Sequence, residues 1–195
     1  MRFFEKIRRY IKVSGVTPIG RRYFIKNALD GATTILGIVI GANVADVANE
    51  FWVIWPGLGA TFAMCLSGLF GAYMTEEAER VSEMRTLEKS MLTDLQETVV
   101  GRANRFASFW AAMVDGFSPA LTGLSCLTPF FISSTGLFST TLASQLSVAI
   151  CLVIMFLLGV FLGRISKRNM VLHGTKMLSV GLIITLVFLA LKMIQ

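Results

Sequence analysis

Asp30, Thr34, Gly37 and Gly41 recur at i, i+4, i+7 and i+11, so on a helix they form one stripe of a carboxylate, a hydroxyl and a small-residue groove. Met64, Gly68, Gly71 and Thr75 repeat that spacing further along the chain. An ionisable residue in a membrane span faces the protein interior or a water path, which makes Asp30 a candidate pathway residue. A carboxylate in the first turn of a helix is also favoured by about 0.3–1 kcal/mol, so Asp30 has a plainer reading too. The glycines let helices approach closely, and with Met64 as a gap filler they fit ordinary packing equally well. A third set, Glu76, Glu79 and Glu83, stacks at i, i+3 and i+7 if the helix continues, close enough for the oxygens to share a hard divalent cation. Met84 and Met91 add thioethers that suit a transition metal better than calcium. The alternative is a solvated helix held by pairs such as Glu76 with Arg80.

These residues need long apolar elements to position them. The mean hydropathy of +0.68, with only 15% charged residues among 195, places the chain among integral membrane proteins. A bilayer core takes about 20 apolar residues per helix. Stretches near 27–48, 52–75, 109–132, 142–163 and 171–194 meet that length, so the expected fold is all-α with five transmembrane helices. The chain reads as one membrane domain over 1–195, with a basic N-terminal segment over 1–26 and a short cytoplasmic helical insert over 76–108 between the second and third spans.

Within the N-terminal segment, Phe3, Phe4, Ile7, Tyr10 and Ile11 share a helical face, with Arg2, Lys6, Arg9 and Lys12 largely elsewhere. That pattern predicts an interfacial helix bound to anionic lipid headgroups. Gly15, Pro18 and Gly20 then predict a hinge. The first apolar run is expected to be retained as a span rather than removed as a signal peptide. Eight lysines and arginines precede the first span, five lie between Glu76 and Ser108, and three sit in GRISKRN, while DVANEFW and SSTGLFSTT have none. The bias places the N-terminus in the cytoplasm and the C-terminus outside.

LDGATTILGI from Leu29 and VDGFSPALTGL from Val114 both put Asp-Gly at the cytoplasmic mouth of a span, which suggests a parallel repeat. Asp115 therefore carries the same two readings as Asp30. Pro119 and Pro129 predict a broken third helix lining a cavity. Cys65, Cys126 and Cys151 lie in apolar runs without a C-x-x-C pattern, and His173 is the one histidine, so neither a disulfide framework nor a zinc site is expected. No Walker loop, G-x-S-x-G, H-E-x-x-H or D-G-x-x-A-R pattern occurs, so no enzyme activity, fixed cofactor or nucleic-acid partner is expected.

LDGATTILGIVIGA, AMCLSGLFGAYMTEEAE, DGFSPALTGLSCLTPF and FLLGVFLGRISKRN together resemble the vacuolar iron transporter family, over nearly the whole chain. The resemblance implies a homodimer that exports ferrous iron or manganese from the cytosol in exchange for protons. Asp30 and Met64 would then hold the ion in the membrane, and Glu76, Glu79 and Glu83 would capture it first. Thr34 and Asp115 would join the path. Gly68 stands where family members that transport iron carry a glutamate, and the insert is shorter than the family's. The expected location is the plasma membrane of a prokaryote or the vacuolar or another organellar membrane of a eukaryote. The alternatives are a non-transporting scaffold or regulatory protein of the same fold, or a transporter of another small substrate.

Overall fold

The computed structural model describes residues 2–47, 49–137 and 139–192. They form six helices: α1 (Arg2–Ser14), α2 (Val16–Val44), α3 (Phe51–Met91), α4 (Val99–Ser133), α5 (Thr140–Ile165) and α6 (Met170–Lys192). The five apolar stretches fall on α2 to α6, apart from 45–47, which form the turn after α2, and Ala48 and residues 193–194, which lie outside the described residues. Among the described residues, four helices are long and apolar enough to cross a membrane: α2, α3, α5 and, over Met170–Ala190, α6. The stretch 109–132 lies on α4, where Asp115, Ser118, Pro119, Thr122, Ser125, Thr128 and Pro129 dilute its apolar character. Pro119 and Pro129 do not break that helix, contrary to expectation, and Thr128 Oγ1 bonds to the Ser125 carbonyl that Pro129 leaves without its helical donor.

The hinge is narrower than the sequence suggested. Only Gly15 separates α1 from α2, with a φ of +62° that favours glycine. Pro18 stands in the first turn of α2, where its missing N–H costs little. The continuation on which the stacking of Glu76, Glu79 and Glu83 depends is present: α3 runs through the acidic run to Met91, and α4 resumes at Val99. EEAERVSEMRTLEKS holds no glycine or proline to stop α3. The left-handed residue Leu92, at φ 51°, then ends it.

The chain divides into two compact units, Met1–Phe24 with Cys65–Phe117, and Ile25–Met64 with Ser118–Gln195. The boundaries fall inside α2, α3 and α4 rather than in flexible linkers. In the first unit, Tyr10 of α1 packs on Phe106 of α4 with ring centroids 5.9 Å apart, while Arg8, Arg9 and Lys12 are exposed. The side chains of Phe3 and Phe4 lie outside the described ones. The second unit holds a core of Ile35, Leu36 and Val39 from α2, Val53 and Ile54 from α3, Leu127 and Phe130 from α4, and Cys151 and Met155 from α5. Trp52, Trp55, Phe62, Leu121 and Leu186 point outward and are more than half exposed. Apolar side chains in that number on a water-facing surface would be an aggregation hazard, and against lipid they are at no disadvantage.

Candidate functional site

In the unit of Ile25–Met64 and Ser118–Gln195, Thr34 Oγ1 donates to Met64 Sδ at 3.7 Å. The hydroxyl of the first stripe and the thioether of the second are thus side by side, both half-buried. Asp30, one turn before Thr34, is exposed. Of the glycines in the two stripes, Gly68 makes a close helix approach, and the others do not among the described residues. Nothing lies within 4 Å of a Cβ built on Gly37 or Gly71, and Gly41 meets only Phe188, at 3.8 Å. Gly31 does that work as well: its Cβ would stand 2.7 Å from the Pro119 carbonyl oxygen, so α2 crosses α4 backbone to backbone there.

Thr61, one turn before Met64 on α3, was not singled out by its sequence. Its hydroxyl is buried and has no hydrogen-bond partner among the described residues. Gly123 of α4 makes room for it, since a Cβ there would stand 2.6 Å from Thr61 Oγ1. Buried hydroxyls are nearly always satisfied, and leaving one orphaned costs about 1–3 kcal/mol. The same unit holds a polar cavity of about 820 Å³ between the α2–α3 and α4–α5 turns. Its lining includes Asp46, Glu50, Ser133, Thr140 and Ser144, with no lysine or arginine. Glu50 Oε2 accepts from Thr140 Oγ1 at 3.2 Å.

In the unit of Met1–Phe24 and Cys65–Phe117, Asp115 is buried at 9% exposure and lies against Gly68. A Cβ at position 68 would stand 2.9 Å from Asp115 Oδ2 and 2.8 Å from the Gly116 Cα. The carboxylate of α4 therefore borders the place where a side chain of residue 68 would begin. Gly116 in turn meets the Cys65 carbonyl oxygen at 2.7 Å from its own Cβ position. Both Asp-Gly pairs of the sequence echo thus put their glycine at a helix crossing, Gly31 on α4 and Gly116 on α3.

The three insert carboxylates are not gathered. Glu76 is buried and committed: Tyr23 Oη donates to its Oε1 at 3.0 Å, and Arg80 Nε donates to its Oε2 at 3.3 Å. Arg80, also buried, donates through Nη1 to Asn104 Oδ1 at 3.1 Å. Glu79 and Glu83 are exposed. Among the described residues no three Asp, Glu, His or Cys side chains are grouped closely enough to hold a metal ion. The Glu76–Arg80 pair follows from its helical spacing, but Tyr23 and Asn104 lie 53 and 24 residues from their partners and leave no local signal.

Long apolar helices, outward-facing aromatics and a few buried polar groups define a multi-pass helical membrane protein. No protein-family model matches the chain. It is 32% identical over 170 residues to an uncharacterised protein of Methanocaldococcus jannaschii, across 86% of this chain and 85% of that one. The chain belongs to the same family as that protein.

Proposed function

We propose that the protein is a five-span transporter that exports a divalent transition metal, ferrous iron or manganese, from the cytoplasm in exchange for protons, working as a homodimer without enzymatic activity. In this reading α4 also crosses the membrane, as the third of the five spans, the N-terminus is cytoplasmic and the C-terminus is outside. The observation that carries it is the Thr34–Met64 pair at 3.7 Å, which brings a hydroxyl and a soft sulfur together one turn from Asp30. A thioether among oxygen donors favours a transition metal over calcium or magnesium. The orphan hydroxyl of Thr61 supports a polar path along α3. Asp115 beside Gly68 supports the same reading, because α4 supplies a carboxylate where the resembling family brings a glutamate from its second span. The cavity with Asp46 and Glu50 has the charge to receive a cation at the outer face.

Asp30 is the proton-exchanging group, since a carboxylate can trade a proton for a cation. Glu79 and Glu83 are open to arriving ions, whereas Glu76 joins only if Arg80 releases it. In proteoliposomes, wild-type protein should accumulate manganese or ferrous iron against a proton gradient, and Asp30→Ala should lower the rate at least tenfold. Uptake that Asp30→Ala leaves untouched would sink the mechanism. Absence of uptake for any divalent ion would favour a scaffold of the same fold.

A further inference from the structure

The turn joining α3 to α4 roofs a cavity of about 270 Å³ whose lining includes Arg80, Arg85 and Arg105. Arg80 is the central group. It is buried to 8% exposure, and it donates through Nε to Glu76 and through Nη1 to Asn104. A guanidinium carries more N–H donors than those two bonds consume. Its Nη2 has no partner among the described residues, so a buried cation keeps a free donor group at the cavity wall. Arg85 is exposed and has no hydrogen bond or ion pair among the described residues. Arg105 is held loosely, with Nη2 3.5 Å from the Gln96 carbonyl oxygen and 3.9 Å from Glu97 Oε1.

The one carboxylate in the lining is already in use, because Glu88 Oε1 accepts the Leu95 backbone N–H at 3.0 Å and so closes the turn. Glu79 and Glu83 do not line the cavity. Arg80 is ion-paired to Glu76 and Arg105 lies 3.9 Å from Glu97, but neither carboxylate is in the lining, so the groups that face the cavity are three guanidiniums and Glu88 and favour an anion over a divalent cation. Planar guanidinium forks match the oxygens of a phosphate group better than those of a halide or a diffuse charge. Val81 and Met84 supply apolar wall beside the arginines, which suits a phosphate carrying an organic substituent.

We propose that this cavity is a binding site for a phosphate ester, with Arg80 as the buried anchor and Arg85 and Arg105 as the gripping pair. The proposal does not rest on the metal-transport reading, although its anchor Arg80 is the residue that pairs with Glu76. The phosphate can come from the headgroup of an anionic lipid or from a soluble phosphate compound.

The full-length protein, purified in detergent, tests the proposal by native mass spectrometry and thermal unfolding with dioleoyl phosphatidic acid, dioleoyl phosphatidylcholine and inorganic phosphate as probes. Phosphatidic acid should be retained and should raise the unfolding midpoint. Arg85→Gln combined with Arg105→Gln should weaken its retention at least tenfold, and Lys at both positions should restore part of it. The glutamines replace exposed side chains, so the midpoint without ligand should not move. Arg8→Gln with Arg9→Gln, on the exposed face of α1, should leave retention of the tightly held lipid unchanged. A response to phosphatidic acid alone assigns the site to a lipid headgroup. A response to inorganic phosphate as well, lost in the same double variant, assigns it to phosphate from either source. Retention that survives in the cavity variant, or disappears only in the α1 variant, overturns the proposal, as does no response to either phosphate probe.

Discussion

The cavity at the α3–α4 turn is walled by Arg80, Arg85 and Arg105, whereas the one between the α2–α3 and α4–α5 turns is walled by Asp46 and Glu50 with no lysine or arginine. The first lies in a unit whose central ionic groups are paired: Glu76 is held by Tyr23 and Arg80, and Arg80 by Asn104. The second lies in a unit whose interior offers a hydroxyl on a thioether and a hydroxyl with no partner among the described residues. Charge sorted among the loops thus reaches into the concave surfaces. The difference teaches that a buried polar group can serve two ends: the bonds it makes fix the architecture, and the donors or acceptors it leaves unused keep capacity for a ligand.

That contrast can be broken most forcefully at the committed pair. Arg80→Leu strands the Glu76 carboxylate in a buried position and should cost about 3–5 kcal/mol in unfolding experiments in micelles. Replacing Glu76 by Gln in the same chain should recover most of the loss. Equal destabilisation in the single and double variants would show that the pair does not act as a unit.

Next in size is Gly68→Ala. Its new methyl meets the Gly116 backbone and the Asp115 carboxylate, so the expected cost is about 1–3 kcal/mol. In an Asp115→Ala background part of that cost should disappear, because only the backbone contact remains. Strict additivity would place the carboxylate away from residue 68.

On the acidic side, Asp46→Asn with Glu50→Gln should weaken manganese attraction to that cavity, read as paramagnetic broadening of nearby resonances, by about fivefold for each charge removed. The same pair should leave phosphate binding unchanged. The smallest effect is expected at Thr61→Val, which removes the orphan hydroxyl at constant shape and should stabilise the protein by up to about 1 kcal/mol. Slower metal uptake in that more stable variant would tie the hydroxyl to the path. A loss of stability instead would mean that Thr61 is satisfied after all.

Much of the helical framework was legible because each apolar stretch exceeds what a bilayer requires, although the prolines of 109–132 suggested a break that α4 does not show. The length of α3 was legible from the absence of breakers in the acidic run, although that run looked like a separate insert. The Glu76–Arg80 pair could be read from a spacing of four. What could not be read was tertiary. Gly37 and Gly41 have the spacing of a packing motif, yet no helix backbone presses on them, while Gly31 and Gly68, each beside a polar or aspartate-bearing stretch, carry the close contacts. Spacing says which residues share a face and is silent on what that face meets. Asp115 against Gly68 and Asn104 against Arg80 are pairings of that second kind. Of the proposed path, Thr34 with Met64 and Asp115 with Gly68 joined residues already singled out, but nothing in their spacing paired them.

The hairpin of α5 and α6 bears on how the chain is made. Gly159 lies against the His173 carbonyl, Gly163 against the Met170 backbone and Gly174 against the Phe156 ring, so the two helices touch along their length. Asn169 Oδ1 accepts the Val171 and Leu172 N–H groups at 3.1 and 3.4 Å and restarts the helix after a short turn. Partners so near in sequence find one another quickly. The hairpin can therefore close as soon as its second arm leaves the ribosome and enter the bilayer as a finished pair, sparing the last arm a search for distant neighbours.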